Sequence, residues 1–159
     1  MAKTVLIFLL AIAVVQSIYF YPQLPDTVAS HFDSRGIPNG WMSKQMFIAV
    51  YLGIMGLMIL IFYLIPRFPN QLKNIPNRDY WMAPERIEET MKYIEDATPR
   101  VGIATMLLFI YVFQYAMEAN LSPEPVLSGN VGWAIIIYFI FLAVWLFKFL
   151  RRFWKIPDK

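Results

Sequence analysis

The chain has 159 residues, 58% of them hydrophobic and 17% aromatic, with a mean hydropathy of +0.50. Soluble domains hold about 45–50% apolar residues, so this excess argues against an ordinary water-soluble fold. Cysteine is absent, which removes disulfides, thiolate metal sites and cysteine nucleophiles. The net charge of +3 gathers beside apolar runs rather than in one patch, a sign of membrane topology and not of nucleic-acid binding.

Four runs carry no charge: Thr4 to Tyr21, Met46 to Ile65, Val101 to Met117 and Val131 to Phe147. A helix needs roughly 17–25 apolar residues to cross the hydrocarbon core, so each run qualifies, helped by end aromatics and by Lys148, whose stem can snorkel. The first run also has the outline of a signal peptide, with Lys3, an apolar centre and Val15-Gln16-Ser17. Its continuation through Ile18 to Tyr21 favours a retained helix.

The pattern predicts an all-α membrane protein. It is a four-transmembrane-helix bundle with a small extracytoplasmic, turn-rich, hairpin-like module and a short cytoplasmic amphipathic helix. Residues 4–65 form a helix–loop–helix unit around the module at 22–45. Residues 66–100 form a cytoplasmic loop with its helix at 84–96. Residues 101–150 form a helical hairpin, and 151–159 a basic tail. With both termini in the cytoplasm, twelve Lys and Arg lie inside and two, Arg35 and Lys44, outside. The positive-inside rule selects that orientation.

Local signals place the ends. Ser43 is a helix N-cap, Pro66 a stop, and Thr98-Pro99 an N-cap and N1 pair for the third span. Ser122, Pro123 and Pro125 make a turn, and Ser128 to Asn130 lead into the last helix. After Pro84, Glu85, Glu88 and Glu89 suit a helix start. Ile87, Met91 and Ile94 then form an apolar stripe, and Glu88 can pair with Lys92. Gly53 and Gly56 leave room for a neighbouring helix. Gln16 and Gln114 sit at similar depth on parallel helices and can bond to each other.

Leu24 to Lys44 is the long polar stretch between spans. Val28, Ser30 and Phe32 alternate with Ala29 and His31 as in a strand. Asp33-Ser34-Arg35-Gly36 reads as one turn and Ile37-Pro38-Asn39-Gly40 as a second, with Phe32 and Trp41 near the headgroups. Asp26, His31 and Asp33 invite a metal or acid–base reading. One histidine with no cysteine and no ligand spacing argues against it, and no catalytic or nucleotide motif occurs elsewhere. No cofactor, no metal and no catalytic residue is assigned.

The order Leu24-Pro25-Asp26, Val28, His31-Phe32, Gly36, Pro38, Gly40-Trp41, Ser43-Lys44 after a first membrane helix resembles the domain of unknown function 1648, found at the N-terminus of SdpI-like membrane proteins. The loop from Asn74 to Arg86, with Pro76, Asn77, Tyr80, Trp81 and Pro84, resembles a signature of bacterial members carrying that domain. The resemblance implies a multi-pass protein of the bacterial inner membrane. In that family one relative confers immunity to a secreted toxic peptide and holds a transcriptional repressor at the membrane. This chain is shorter, with four spans. The resulting expectation is a non-enzymatic protein embedded in the lipid bilayer that binds a peptide, lipid or membrane-protein partner. The binding candidates are Leu24, Pro25, Asp26, His31, Phe32, Gly36, Pro38, Gly40, Trp41 and Lys44. Two alternatives stand beside it: an accessory subunit of a larger membrane complex, and a metal-dependent or catalytic protein using His31.

Overall fold

The computed structural model describes residues 2–64, 67–68 and 75–156. Helix α1 (Ala2–Phe20) leads through a tight turn to strand β1 (Thr27–Phe32), which pairs antiparallel with β2 (Pro38–Ser43). Helix α2 (Lys44–Ile59) returns and ends in a π-helical turn, Leu60–Leu64. The short α3 (Arg78–Trp81) precedes α4 (Ile87–Ala119) and α5 (Asn130–Trp154). The helices containing Ala2–Phe20, Lys44–Leu64, Ile87–Ala119 and Asn130–Trp154 are each long and apolar enough to cross a membrane. They run up, down, up and down, so the β-hairpin and the 120–129 loop share one end.

The core is built around α4. Leu6, Leu9 and Ala13 of α1 pack with Phe47, Tyr51 and Met55 of α2 and with Met106, Ala116 and Met117 of α4; Leu24 and Val28 extend this cluster into the hairpin. A second cluster, Trp81, Ile94 and Phe153, lies at the opposite end. Helix α5 packs on α4, where Tyr138 and Thr105 share a 2.7 Å hydroxyl bond, and leaves Ile136, Ile137, Phe139 and Ile140 exposed. In water such a face would aggregate; against lipid it is at equilibrium.

Several sequence expectations are met. Ser43 caps α2, accepting the Met46 N–H at 3.3 Å. Gln16 Nε2 donates to Gln114 Oε1 at 2.7 Å. The stop at Pro66, together with Asn74 and Lys159, lies outside the described residues.

Others are corrected. Thr98-Pro99 does not start the third span, because α4 runs unbroken from Ile87 through a buried Pro99. The amphipathic helix expected at 84–96 is therefore the first part of the spanning helix. Proline lacks the N–H that would bond the Glu95 carbonyl, but one lost bond does not end a helix that packs on both sides of the break. Ile94 is held by Trp81 and Phe153 on one side, and Gly102 lies against Phe62 on the other. The Thr98 hydroxyl turns back to the Ile94 carbonyl at 2.8 Å instead of capping. The stripe is also shifted: Thr90, Ile94 and Ala97 are the buried positions. Among the described residues Glu89, not Glu88, is ion-paired, with Arg152 at 2.6 Å.

Gly53 and Gly56 face open space, whereas a Cβ on Gly102 would lie 2.6 Å from Phe62 Cβ. Helix approach thus depends on a glycine that pattern reading passed over. Gly102→Ala should destabilise the fold by about 1–3 kcal/mol through overpacking. Gly53→Ala and Gly56→Ala should be neutral or stabilise by up to about 1 kcal/mol through helix propensity. Thermal unfolding in detergent, followed by circular dichroism, separates the two classes.

Candidate functional site

The hairpin is fastened at its base. Lys44 Nζ lies 3.0 Å from Asp26 Oδ1 and donates to the Leu24 carbonyl at 3.3 Å, while the Lys44 N–H bonds the Asp26 carbonyl at 3.0 Å. The Asp26 side chain is 94% exposed, so this ion pair adds little energy; its work is to join the two strands where the chain leaves and rejoins the helices. Leu24 is buried in the main core.

Register then runs Thr27 to Ser43, Val28 to Met42 and Ala29 to Trp41, and after a shift His31 to Gly40 and Phe32 to Pro38. Ser30 and Asn39 are the extra residues. This corrects the second predicted turn: Pro38 and Gly40 belong to β2. Proline is tolerated as the first residue of an edge strand, where its missing N–H removes no ladder bond. Gly40 lies close to its partner: a Cβ there would sit 3.0 Å from His31 Cβ, which would have to give way.

The turn itself is organised by Asp33. Its Oδ1 accepts the N–H groups of Arg35 at 2.8 Å and Ile37 at 2.9 Å, and its Oδ2 meets the Arg35 guanidinium at 3.1 Å. The Ile37 N–H foremost, then Arg35, hold the Asp33 carboxyl below its ordinary value of 3.8. Gly36 adopts φ +80°, and a Cβ there would come within 2.4 Å of the Leu127 carbonyl oxygen. The Leu127 N–H also donates to the Gly36 carbonyl at 2.9 Å, so the 120–129 loop is stitched to the turn.

The strongest anchor is Asn120, which sequence reading missed. Its side-chain amide accepts the Ala29 N–H at 2.6 Å and donates to the Ala29 carbonyl at 2.9 Å and the Ala116 carbonyl at 2.8 Å. It imitates a neighbouring strand and completes the edge of β1 from the end of α4. Asn120, Val28 and Ala29 are all buried. An asparagine just past an apolar run was the available signal, easily taken for a turn residue.

Of the predicted binding residues, Leu24, Asp26, Gly36, Gly40 and Lys44 therefore hold the module together. Phe32 packs against the core cluster. Pro25, His31 and Trp41 face outward, Trp41 at 54% exposure. His31 Nδ1 bonds Asn39 Oδ1 across the irregular register. Among the described residues no group of three or more His, Asp and Glu side chains converges on a metal position.

Beneath the hairpin a polar chain crosses the bundle. Tyr51 Oη donates to Gln16 Oε1 at 2.6 Å, Gln16 donates to Gln114, and Gln114 Nε2 donates to Glu118 Oε1 at 2.6 Å. Tyr51 stacks on Phe113 at 4.1 Å. A groove of about 520 Å³ between α1 and α4, lined by Phe8, Ile12, Val15 and Tyr19, has Gln16 and Gln114 on its wall.

At the other end the second motif acts on α5. Asn77, at φ 52°, donates to the carbonyls of Phe153 at 2.9 Å and Trp154 at 3.1 Å, and Trp81 Nε1 donates to Phe153 at 3.2 Å. These are carbonyls that a helix C-terminus leaves unpaired. The Tyr80 ring lies under the Arg86 guanidinium at 3.9 Å. Pro76 is half-buried, and Pro84 is exposed in the turn before α4.

Hairpin and helices together define a multi-pass integral membrane protein with one small β-module. Residues 6–57, a third of the chain covering most of α1, the hairpin and most of α2, match the family model of the Domain of unknown function (DUF1648). No curated protein and no solved structure matches the chain.

Asn120→Ala should cost about 1–3 kcal/mol, the penalty for leaving buried backbone groups unpaired. Hydrogen exchange should show the Ala29 amide unprotected, whereas Asn120→Asp, which keeps the acceptor, should retain that protection. A second prediction follows from Asp33. Because its folded pKa is lowered, its contribution is complete above 3.8 and is lost as pH falls through the folded value. The amide resonances of Arg35 and Ile37 should hold steady at neutral pH and shift together in acid. Asp33→Asn should remove that transition.

Proposed function

We propose that the chain is a non-enzymatic recognition protein of the bacterial inner membrane, with its hairpin outside and both termini in the cytoplasm. Twelve basic residues against two support the orientation. The likeness of the first hundred residues to SdpI-like proteins supports a role of the immunity or signalling kind.

One observation carries the reading: the hairpin is anchored along β1, and among the described residues nothing bonds the outer edge of β2 at Trp41. Ala29 gives its backbone groups to Asn120, so it exchanges none with Trp41 opposite. In an antiparallel pair the Trp41 N–H and C=O then point away from β1. The exposed side chains of Trp41 and Ile37 stand beside that edge. A rigid edge flanked by an aromatic suits an extended peptide, which adds as a further strand and is read by its side chains. The occupant is a peptide or an extended segment of a membrane-protein partner.

A strain lacking the gene, and one carrying Trp41→Ala at unchanged protein level, should both become more sensitive to secreted membrane-active peptides. Wild-type sensitivity in both would count against the reading. The exposed apolar face of α5 favours a second reading, an accessory subunit of a larger complex. Purification in mild detergent would then yield a partner at fixed stoichiometry, and the chain alone would exclude it.

A further inference from the structure

At the end away from the hairpin, α4 and α5 enclose a groove of about 270 Å³ lined by Tyr93, Asp96, Arg100, Trp145, Lys148 and Phe149. Two features of the sequence meet there. Arg100 is the residue immediately before the uncharged run that starts at Val101, and Lys148 the residue immediately after the run that ends at Phe147. The two charge boundaries, far apart in the chain, come to one depth in one groove. That depth is where a bilayer changes from hydrocarbon to phosphate.

The groove is built for an amphiphile. One wall is a row of stacked rings, with Trp145 on Phe149 at 4.9 Å and Phe149 on Tyr93 at 5.7 Å. Both cations are exposed, and among the described residues neither has an ion-pair partner, Asp96 included. The neighbouring Arg152 is engaged by Glu89 and lies over the Tyr93 ring at 4.4 Å, so it closes the side of the site without competing for its anion. The net charge of the lining side chains is positive by one.

We propose that this groove binds the headgroup of an anionic phospholipid, with the phosphate between Arg100 and Lys148 and the glycerol and upper chain along the rings. Charge-assisted contacts from a guanidinium and an ammonium suit a phosphate, and basic pockets between spanning helices recognise lipid heads in this way. The occupant is a lipid rather than free phosphate because the next hollow between the same two helices, beginning one turn further on at Ala104 and Phe141, is apolar. The site is independent of the hairpin and of what the hairpin binds.

The test uses the full chain purified in neutral detergent, with native mass spectrometry counting retained phosphatidylglycerol against phosphatidylcholine. Wild type should prefer phosphatidylglycerol by roughly fivefold, the weight of one net charge near an anionic surface. The double variant Arg100→Gln/Lys148→Gln should fall to parity, and Arg100→Lys/Lys148→Arg should keep the preference. Arg35→Gln, at the other end, should leave it unchanged. Circular dichroism melting must show that the double variant stays folded; should it not, Lys148→Gln alone is read, and should halve the preference or more. Equal retention of the two lipids by wild type would overturn the proposal. So would a preference that survives in the folded variant, or displacement of the lipid by inorganic phosphate at equal concentration.

Discussion

A single side-chain amide closes the strand edge where the β-hairpin meets the end of α4. A two-stranded hairpin is marginal in water, and β1 would present bare N–H and C=O groups where the chain meets the bilayer. Asn120 removes that exposure at Ala29 by supplying one acceptor and one donor in the geometry of a strand. It also ties its own helix end through the Ala116 carbonyl. Because Asn120 belongs to the end of α4 and Ala29 to the unit formed by α1, the hairpin and α2, the contact couples segments 91 residues apart. The stitch between Gly36 and Leu127 extends the same seam to the turn.

The family-like pattern looks different in this light. Its glycines, its Asp26 and its Lys44 serve the fold: a left-handed turn, a close strand crossing, a clasp at the base. A motif can be specific because a fold is demanding, not because a ligand is. Pro25, His31 and Trp41 of that pattern, with Ile37 beside them, have exposed side chains that reach no helix. The loop motif around Asn77 and Trp81 is similar in kind, since it satisfies the last carbonyls of α5.

How much was legible in the sequence follows from the physics of each element. Four uncharged runs announce four spans, because hydrocarbon leaves no other solution for twenty apolar residues. Ser43 and the Gln16–Gln114 pair were readable because they follow local or depth rules. Thr98-Pro99 misled because cap statistics are local, while continuity through Pro99 goes with packing on either side of it, Ile94 against Trp81 and Phe153 and Gly102 against Phe62. The β2 strand was taken for a turn because Pro and Gly mark turns on average. Here an edge and a tight crossing use the same residues. Tyr51 joining the glutamines, Gly102 beneath Phe62 and Asn120 against Ala29 are long-range partners, and nothing in one sequence names a partner.

Helix α4 has 33 residues, about 50 Å at 1.5 Å per residue, well over the roughly 30 Å of a hydrocarbon core. At one end it grips the hairpin through Asn120, and at the other it meets the tail of α5 through Glu89 and Ile94. It is a lever whose fulcrum lies in the bilayer. A tilt of about 5° around its middle would move each end by about 2 Å in opposite directions, enough to open or close a hydrogen bond. Pro99, with its missing backbone bond, is the compliant point of that lever, and it lies nearer the N-terminal end of the helix. Any bending of α4 would concentrate at Pro99, one residue before Arg100 and four after Glu95, whose carbonyl has no helical N–H partner.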